Sequence, residues 1–448
     1  MDPPRISIAI YLIYSHSCLS RNLCSDVQML KAPFPYIRGH SFNLKRLMWL
    51  MKNQMNWIWI LVALFLFGCG DGKQKESDGL IRVDVSKSYP KKELILQDLF
   101  DIEYVPLETT DEMLTEGHIQ YISDNYMIFK NLGRMAGEIF IFDRQGKAVR
   151  KINRLGQSGE EYLNILGIDY DEQADELFVN SHYSDKVFVY DSEGNYKRSF
   201  DYLDGTLYDP IKILDEERLI AYDDYFEYDK VPEKRDCYLI LSREDGRLLE
   251  KNHIPYEEKK SLIILRRDLN GKLTGNWGIR NTLMPPYQDG WLLIEPSADT
   301  IYTYSASRGL MPLIVRTPPV NEMDPEVFLF PTIFTDRYVF MQAVERSFNF
   351  GVDKDVPRTN LIYDKTEQTA YEGEVINRDF EGTPVNLWFA HRVIMEFNDD
   401  EIAFATRLEA PDLVEALNDG KLRGPLKEIA SRLDEEDNPV ILIAKYKK

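Results

Sequence analysis

Two short stretches of the chain are near copies, and their spacing constrains the fold more than any other feature. Glu138 to Lys147 reads EIFIFDRQGK and Lys186 to Tyr196 reads KVFVYDSEGNY; Asp143 and Asp191, like Gly146 and Gly194, are 48 residues apart. An apolar run ending in Asp-x-x-Gly is a strand entering a tight turn, with the glycine supplying a positive φ. A strand-turn unit that recurs at about 50 residues belongs to architectures of stacked blades or repeats.

Period-two apolar segments separated by turns fall into groups of four. The first two groups, over 118–152 and 165–200, align almost without gaps, and three more follow at 211–253, 282–317 and 327–374 with longer insertions. A sixth group holds three strands, Trp388 to Phe397, Glu401 to Thr406 and Val440 to Tyr446, while Asp101 to Leu107 stands alone ahead of the first group. Pairing this orphan with the incomplete group closes a ring and removes two sheet edges that would invite aggregation. The expected fold is therefore all-β: a six-bladed β-propeller closed by pairing of its N- and C-terminal strands, with a small helical insertion in the last blade. The insertion, Asp412 to Leu433, carries Leu413, Leu417, Leu426, Ile429 and Leu433 at helical spacing. It reads either as a cap on the last blade or as a helix pair for docking a partner.

The start of the chain has a different character. Trp57 to Phe67 (WIWILVALFLF) is an unbroken apolar run preceded by Lys45, Arg46 and Lys52 and followed by Gly68-Cys69. It is too short to span a bilayer, which takes about 20 apolar residues, and it suits the centre of a secretory signal. Leu66-Phe67-Gly68-Cys69 resembles a bacterial lipobox, which makes Cys69 the acylated residue. Residues 1–50 then read as a gene-start artefact or disordered, 51–68 as a lipoprotein signal peptide, 69–93 as a lipidated tether and 94–448 as the propeller. Loss of a leader with seven Lys/Arg and two Asp takes the net charge from −20 to −25. Such a surface repels nucleic acid and anionic headgroups, so the lipid is the expected membrane contact. After cleavage only Cys237 of the four cysteines is left free, and no disulfide can form within the chain.

These features resemble the six-bladed β-propeller lipoproteins common in Bacteroidetes, relatives of the NHL and TolB-like propellers. The resemblance rests on Phe188-Val189-Tyr190-Asp191 with its Gly194 turn, the loop Gly156 to Tyr162, Val105-Pro106-Leu107-Glu108-Thr109 and Asn438-Pro439-Val440-Ile441-Leu442. In the family the loop usually reads Gly-x-Gly-Pro-Gly-Glu-Tyr, and here Ser158, Gly159 and Glu160 stand where Gly-Pro-Gly is usual. The resemblance implies a fold and a lipid-anchored place in the bacterial outer membrane, in either leaflet. It implies little about activity, because propellers host many.

If the first strand of each blade lines the channel, the second-to-third-strand loops and the blade-to-blade connections share one face. Arg134, Tyr162, His182, Tyr183, Arg280 and Arg346 fall on these loops. Exposed cations and aromatics there are candidates for recognising anionic or sugar groups; the alternative is scattered surface residues with local partners. The Gly156 loop could cradle a phosphate, but Glu160 and Glu161 oppose an anion and favour a turn that seats Tyr162 between blades. Asp169, Asp171 and Asp175 suggest a calcium loop but lack the glycine and distal glutamate of an EF-hand. His118 could point into the channel, yet no two histidines of the mature chain have metal-site spacing. No nucleophile elbow occurs, and neither cofactor nor metal is expected. The sequence thus points to a binding or interaction module for a glycan, peptide or envelope protein. A propeller hydrolase or lyase with its centre at the channel mouth is the alternative.

Overall fold

The computed structural model describes residues 79–133, 136–225, 234–388, 393–394 and 402–447. Six sheets follow one another along the chain as blades of a propeller. Blade 1 runs His118–Ile122, Tyr126–Lys130, Glu138–Asp143 and Ala148–Asn153; blade 2 runs Gly167–Asp171, Glu176–Ser181, Lys186–Tyr190 and Tyr196–Asp201. The same up-and-down order builds blade 3 from Tyr208–Ile213 to Leu248–Asn252, blade 4 from Pro286–Tyr287 to Gly309–Thr317 and blade 5 from Val327–Phe334 to Thr369–Ile376. The first strands of blades 1, 2 and 3 lie beside one another.

The repeated motif explains how blades stack. In EIFIFD, Ile139 and Ile141 pack toward blade 2, whereas Phe140 and Phe142 pack in the cluster shared with blade 6. In KVFVY, Phe188 and Tyr190 turn back onto those isoleucines while Val187 and Val189 meet Leu219 and Leu239 of blade 3. The two junctions of blade 1 thus set a β-branched face against an aromatic one, and the third strand is apolar on both sides because both are covered. Each motif ends in its predicted turn. The Asp143 carboxylate accepts from the amides of Gln145 and Lys147 at 2.9 and 2.8 Å, with Gly146 at φ +83°. A Cβ at Gly146 would lie 2.2 Å from the Pro106 carbonyl oxygen, so the turn is also a close docking point for the closing strand.

Closure takes the expected form and goes further. The strand β3 (Phe100–Pro106) pairs antiparallel with Val440–Tyr446, from Val440 opposite Pro106 to Tyr446 opposite Phe100, and completes blade 6. Two earlier strands, β1 (Ile81–Asp84) and β2 (Lys91–Ile95), add in parallel to the outer edges of blades 4 and 5. The tether expected over 69–93 is therefore already part of the sheets from Ile81 onward. Lys92 pins β2 by a 3.0 Å ion pair to the fully buried Asp364, which also binds Arg337 at 2.8 Å. Charge this deep is tolerated because it is paired. These additions blunt the free edges of two blades.

Two insertions decorate the loop face. Helices Ala410–Asn418 and Gly424–Ala430 bury Leu413, Leu422 and Leu426 against Val440, which is the cap arrangement. Between blades 3 and 4 a separate two-stranded hairpin, Ile263–Arg267 with Leu273–Gly278, leans on blade 5. Trp277 stacks on Phe348 with centroids 4.4 Å apart.

Candidate functional site

The six loop residues singled out above go to different places. Tyr162 is fully buried: its hydroxyl donates to the Gly137 carbonyl at 2.7 Å and accepts from the Arg154 amide at 3.0 Å, and its ring meets Phe188 and Tyr190 edge-on. It offers no surface to a ligand and instead locks blade 1 to blade 2. The Gly156 turn serves that seat, with the Glu161 carboxylate accepting from the Ser158 amide at 2.9 Å in the place an anion would take. Arg346 is spent on the hairpin base, donating to the carbonyls of Ser261 and Ile263 at 2.8 and 3.2 Å. Arg134 and the lipidation candidate Cys69 lie outside the described residues.

His182, of blade 2, and Arg280, of the connection into blade 4, are both charged neighbours of a residue that was not anticipated. Asp209, at the head of the first strand of blade 3, has Lys130, Lys212, Arg280 and His182 as its charged neighbours. Tyr183 follows His182, its ring 5.4 Å from the imidazole, and is 48 % exposed. Blades 1 to 3 and the connection into blade 4 therefore contribute charged groups to the surroundings of Asp209 on the loop face.

Each member reaches the cluster for a local reason. Lys130 ends the otherwise apolar strand YMIFK, and its ammonium donates to the carbonyls of Ile165 and Leu166 at 2.9 and 2.7 Å. Burial pushes that ammonium down to about 8, with Asp209 opposing the shift. Lys212 is likewise buried and donates to the Ile168 carbonyl at 3.4 Å. His182 sits on a single helical turn, His182–Ser184, and its Nδ1 is buried without a hydrogen-bond partner. Arg280 is exposed and forms no hydrogen bond or ion pair among the described residues.

The carboxylates are equally unspent. Asp209 has no hydrogen bond or ion pair among the described residues; burial raises its carboxyl above the ordinary range, and the surrounding cations hold it down. Asp224, one strand along, is pushed up to about 7, first by burial and then by Asp209. Both side chains are exposed to solvent, which moderates the effect of burial on their charge. Behind them Lys259 and Glu295 form a 2.8 Å ion pair, with the Lys259 ammonium also 3.2 Å from the buried Cys237 sulfur. The Cys237 thiol is pushed up to about 11 by burial and Glu295, so it is inert at neutral pH.

Other titratable candidates are structural. His118 accepts from Arg407 at 3.0 Å, and burial, followed by that guanidinium, lowers it to about 4. The three aspartates of the suspected calcium loop diverge. Asp169 accepts from the Ile213 amide, Asp171 pairs with Arg243 and Asp175 accepts from the Tyr170 hydroxyl.

Lys130 and Lys212 carried a sequence signal that composition alone hides. A lysine inside an apolar strand is costly to bury and implies a purpose. Asp209 carried none, since Asp-Pro at a strand start looks like any surface turn.

Comparisons with known proteins agree with this architecture. The profile of a family described as a domain of unknown function, DUF4934, matches residues 80–445. No curated protein matches the chain. Among solved structures, a Bacteroides fragilis protein described as exported is 14 % identical with a TM-score of 0.56, covering 82 % of this chain and 100 % of its own. A duf4221 family member from Bacteroides vulgatus is 13 % identical with a TM-score of 0.39, covering 78 % of this chain and 97 % of its own. A catalytically inactive virginiamycin B lyase from Staphylococcus aureus is 10 % identical with a TM-score of 0.34, covering 77 % and 99 %. At 14 % identity the Bacteroides fragilis structure speaks to fold alone. With four-fifths of its length matched, the chain belongs to the DUF4934 family.

Proposed function

We propose that this protein is a lipid-anchored binding module of the bacterial cell envelope, acylated at Cys69, that holds its ligand at the loop-face mouth of the propeller channel. One observation carries the reading: blades 1 to 3 and the connection into blade 4 supply Lys130, His182, Lys212 and Arg280 to the charged surroundings of Asp209, yet neither Asp209 nor Arg280 spends its charge on a described protein partner. Charged side chains exposed on the loop face and without a described partner are available to a ligand. Placement in the envelope is supported by the lipobox-like Leu66 to Cys69 and by the exported Bacteroides fragilis protein of like fold.

The test is a thermal-shift screen of glycans and peptides against the wild type, Asp209→Asn and Arg280→Ala. A ligand that raises the wild-type Tm should fail to raise that of either variant. A ligand shift preserved in both variants would remove the mouth as the binding site. Cys69→Ala should release the protein from the membrane fraction, and an intact unlipidated chain starting upstream of Cys69 would refute the anchor.

Asp224 favours a second reading. A carboxyl held near 7 beside another is the arrangement of a general acid in glycoside hydrolysis or lyase chemistry. Turnover of the bound ligand that falls as pH rises through about 7 and is lost in Asp224→Asn would establish it. A Tm shift without turnover leaves the binding reading alone.

A further inference from the structure

A cavity of about 400 Å³ opens on the loop face where blade 5 passes into blade 6. Three elements wall it: the connection that follows Thr369–Ile376, the end of the strand Ile402–Leu408 and the cap helix Ala410–Asn418. Its volume falls within the range of small-molecule pockets, about 300–1,000 Å³. Phe380, Val385, Leu408, Leu413 and Ala416 make much of its wall apolar.

The charged part of the wall is lopsided. Glu409, Asp412, Glu415 and Asp419 stand against Arg407 and Lys421. Both cations are already engaged: Arg407 pairs with Glu409 at 2.9 Å and Lys421 with Asp419 at 2.7 Å, with Glu415 also in the charged surroundings of Lys421. Asp412 and Glu415 are exposed, and their carboxylates have no ion pair or hydrogen bond among the described residues. Helix stability does not account for this placement. Asp412 suits a first turn, but Glu415 and Asp419 fall at the C-terminal end, where the helix dipole disfavours anions and like charges four residues apart repel. A period of 3.6 residues turns 412, 415, 416 and 419 to one side, so a row of acids runs past Ala416 along the cavity wall. The helical rise spaces the three acids by about 4.5 and 6 Å along the axis. Ammonium groups joined by three and four methylenes are spaced by about 5 and 6 Å, given chain bonds near 1.5 Å.

We propose that this cavity binds a linear alkyl polyamine, its ammonium groups meeting Asp412, Glu415 and Asp419 and its methylenes lying on the apolar wall. A bare metal cation would make no use of that wall. A basic peptide would bring backbone amides to it, where unpaired polar groups are costly. The site shares no residue with the surroundings of Asp209 and stands independently of them.

The experiment is calorimetric titration of the full chain in detergent, at about 0.15 M salt so that the general attraction of an acidic protein for cations is screened. The probes are spermidine, hexaamminecobalt(III) as a trication without methylenes, and trilysine. Spermidine should bind one-to-one, and the other two at least about tenfold more weakly. Asp412→Asn and Glu415→Gln change exposed side chains and leave the cap packing alone; each should weaken spermidine about three- to tenfold. Lys421→Ala frees Asp419 and removes a competing cation, so it should tighten spermidine about two- to fivefold. Asp209→Asn should leave the affinity unchanged.

Equal affinity for hexaamminecobalt(III) would reduce the cavity to an acidic patch and overturn the polyamine. Trilysine binding as tightly as spermidine would overturn it in favour of a basic peptide. Spermidine binding that survives both acid variants unchanged, or that is lost in Asp209→Asn, would place the cation elsewhere and overturn the site. Failure of spermidine to bind would overturn the inference outright.

Discussion

Closure of the ring predicts that one short strand near the C-terminus holds two junctions at once. Val440–Tyr446 has Ile441 and Ile443 in the cluster shared with blade 1 and Leu442 in the cluster shared with blade 5. Ile441 is 0 % and Leu442 1 % exposed, so each alanine substitution deletes buried methylenes and leaves a cavity, at a cost of about 2–5 kcal/mol. The two side chains point to opposite faces of the strand and belong to separate clusters, so the costs should add to within about 0.5 kcal/mol. The double variant Ile441→Ala/Leu442→Ala should therefore lose about 4–10 kcal/mol, which is most of the 5–15 kcal/mol that holds a typical domain together. Leu248→Ala, on the half-exposed outer strand of blade 3, serves as the control and should change stability by no more than about 0.5 kcal/mol. Urea denaturation followed by both far-ultraviolet circular dichroism and tyrosine fluorescence gives the comparison. Single substitutions costing under about 1 kcal/mol, or a double variant no weaker than its worse parent, would refute the two-junction argument.

Other expectations follow from particular contacts. Gly146→Ala should destabilise by several kcal/mol, because a positive φ is combined with a carbonyl oxygen in the Cβ position, whereas Gly271→Ala, at φ +82° with open space around it, should cost about 1 kcal/mol; paired melting curves decide. Tyr162→Phe should cost about 1–3 kcal/mol by stranding the Gly137 carbonyl, and should leave ligand affinity untouched. Asp224 faces Asp209, Asp223, Glu295 and Lys259, and its folded carboxyl lies near 7 against an unfolded value of 3.8. The folded state thus holds the proton more tightly, so this group's contribution to stability should decline as pH rises from about 4 through 7. Carboxyl carbon NMR should follow the titration, and Asp209→Asn should move it downward; an unmoved midpoint would contradict the proximity of the two carboxylates.

Much of the architecture was legible because propeller blades are covered on both sides, so their strands announce themselves as apolar runs with a turn at the end, as in EIFIFD and KVFVY. The orphan Asp101 to Leu107 was legible by elimination, since a three-strand blade needs a fourth. β1 and β2 were not: IRVD and KKELI are short, half polar and paired with strands more than 200 residues away. The hairpin 263–278 was missed because it pairs only with itself and shows little alternation. At the site, loop position alone brought His182 and Arg280 into view, but the same criterion swept in Tyr162, whose hydroxyl is satisfied internally. Residue type does not separate a buried tyrosine from a displayed one. Asp209 became visible only when blades 1 to 3 and the connection into blade 4 were assembled around it.

The N-terminal strands also dictate an order of assembly. Blades 1, 2 and 3 are meanders of sequence-local hairpins, which can form as soon as their own residues are available. β1, β2 and β3 come earlier in the chain, but their partners at Ile314, Glu372 and Val440 arrive only in its second half. Each pairing must close a loop of hundreds of residues, and its entropic cost falls due before the contacts can repay it. This topology predicts that the leading segment stays unpaired while the ring grows and pairs with blades 4, 5 and 6 as each becomes available. A chain interrupted before Gly309 therefore carries three strands without partners, and one interrupted between Ile376 and Val440 still carries one, β3.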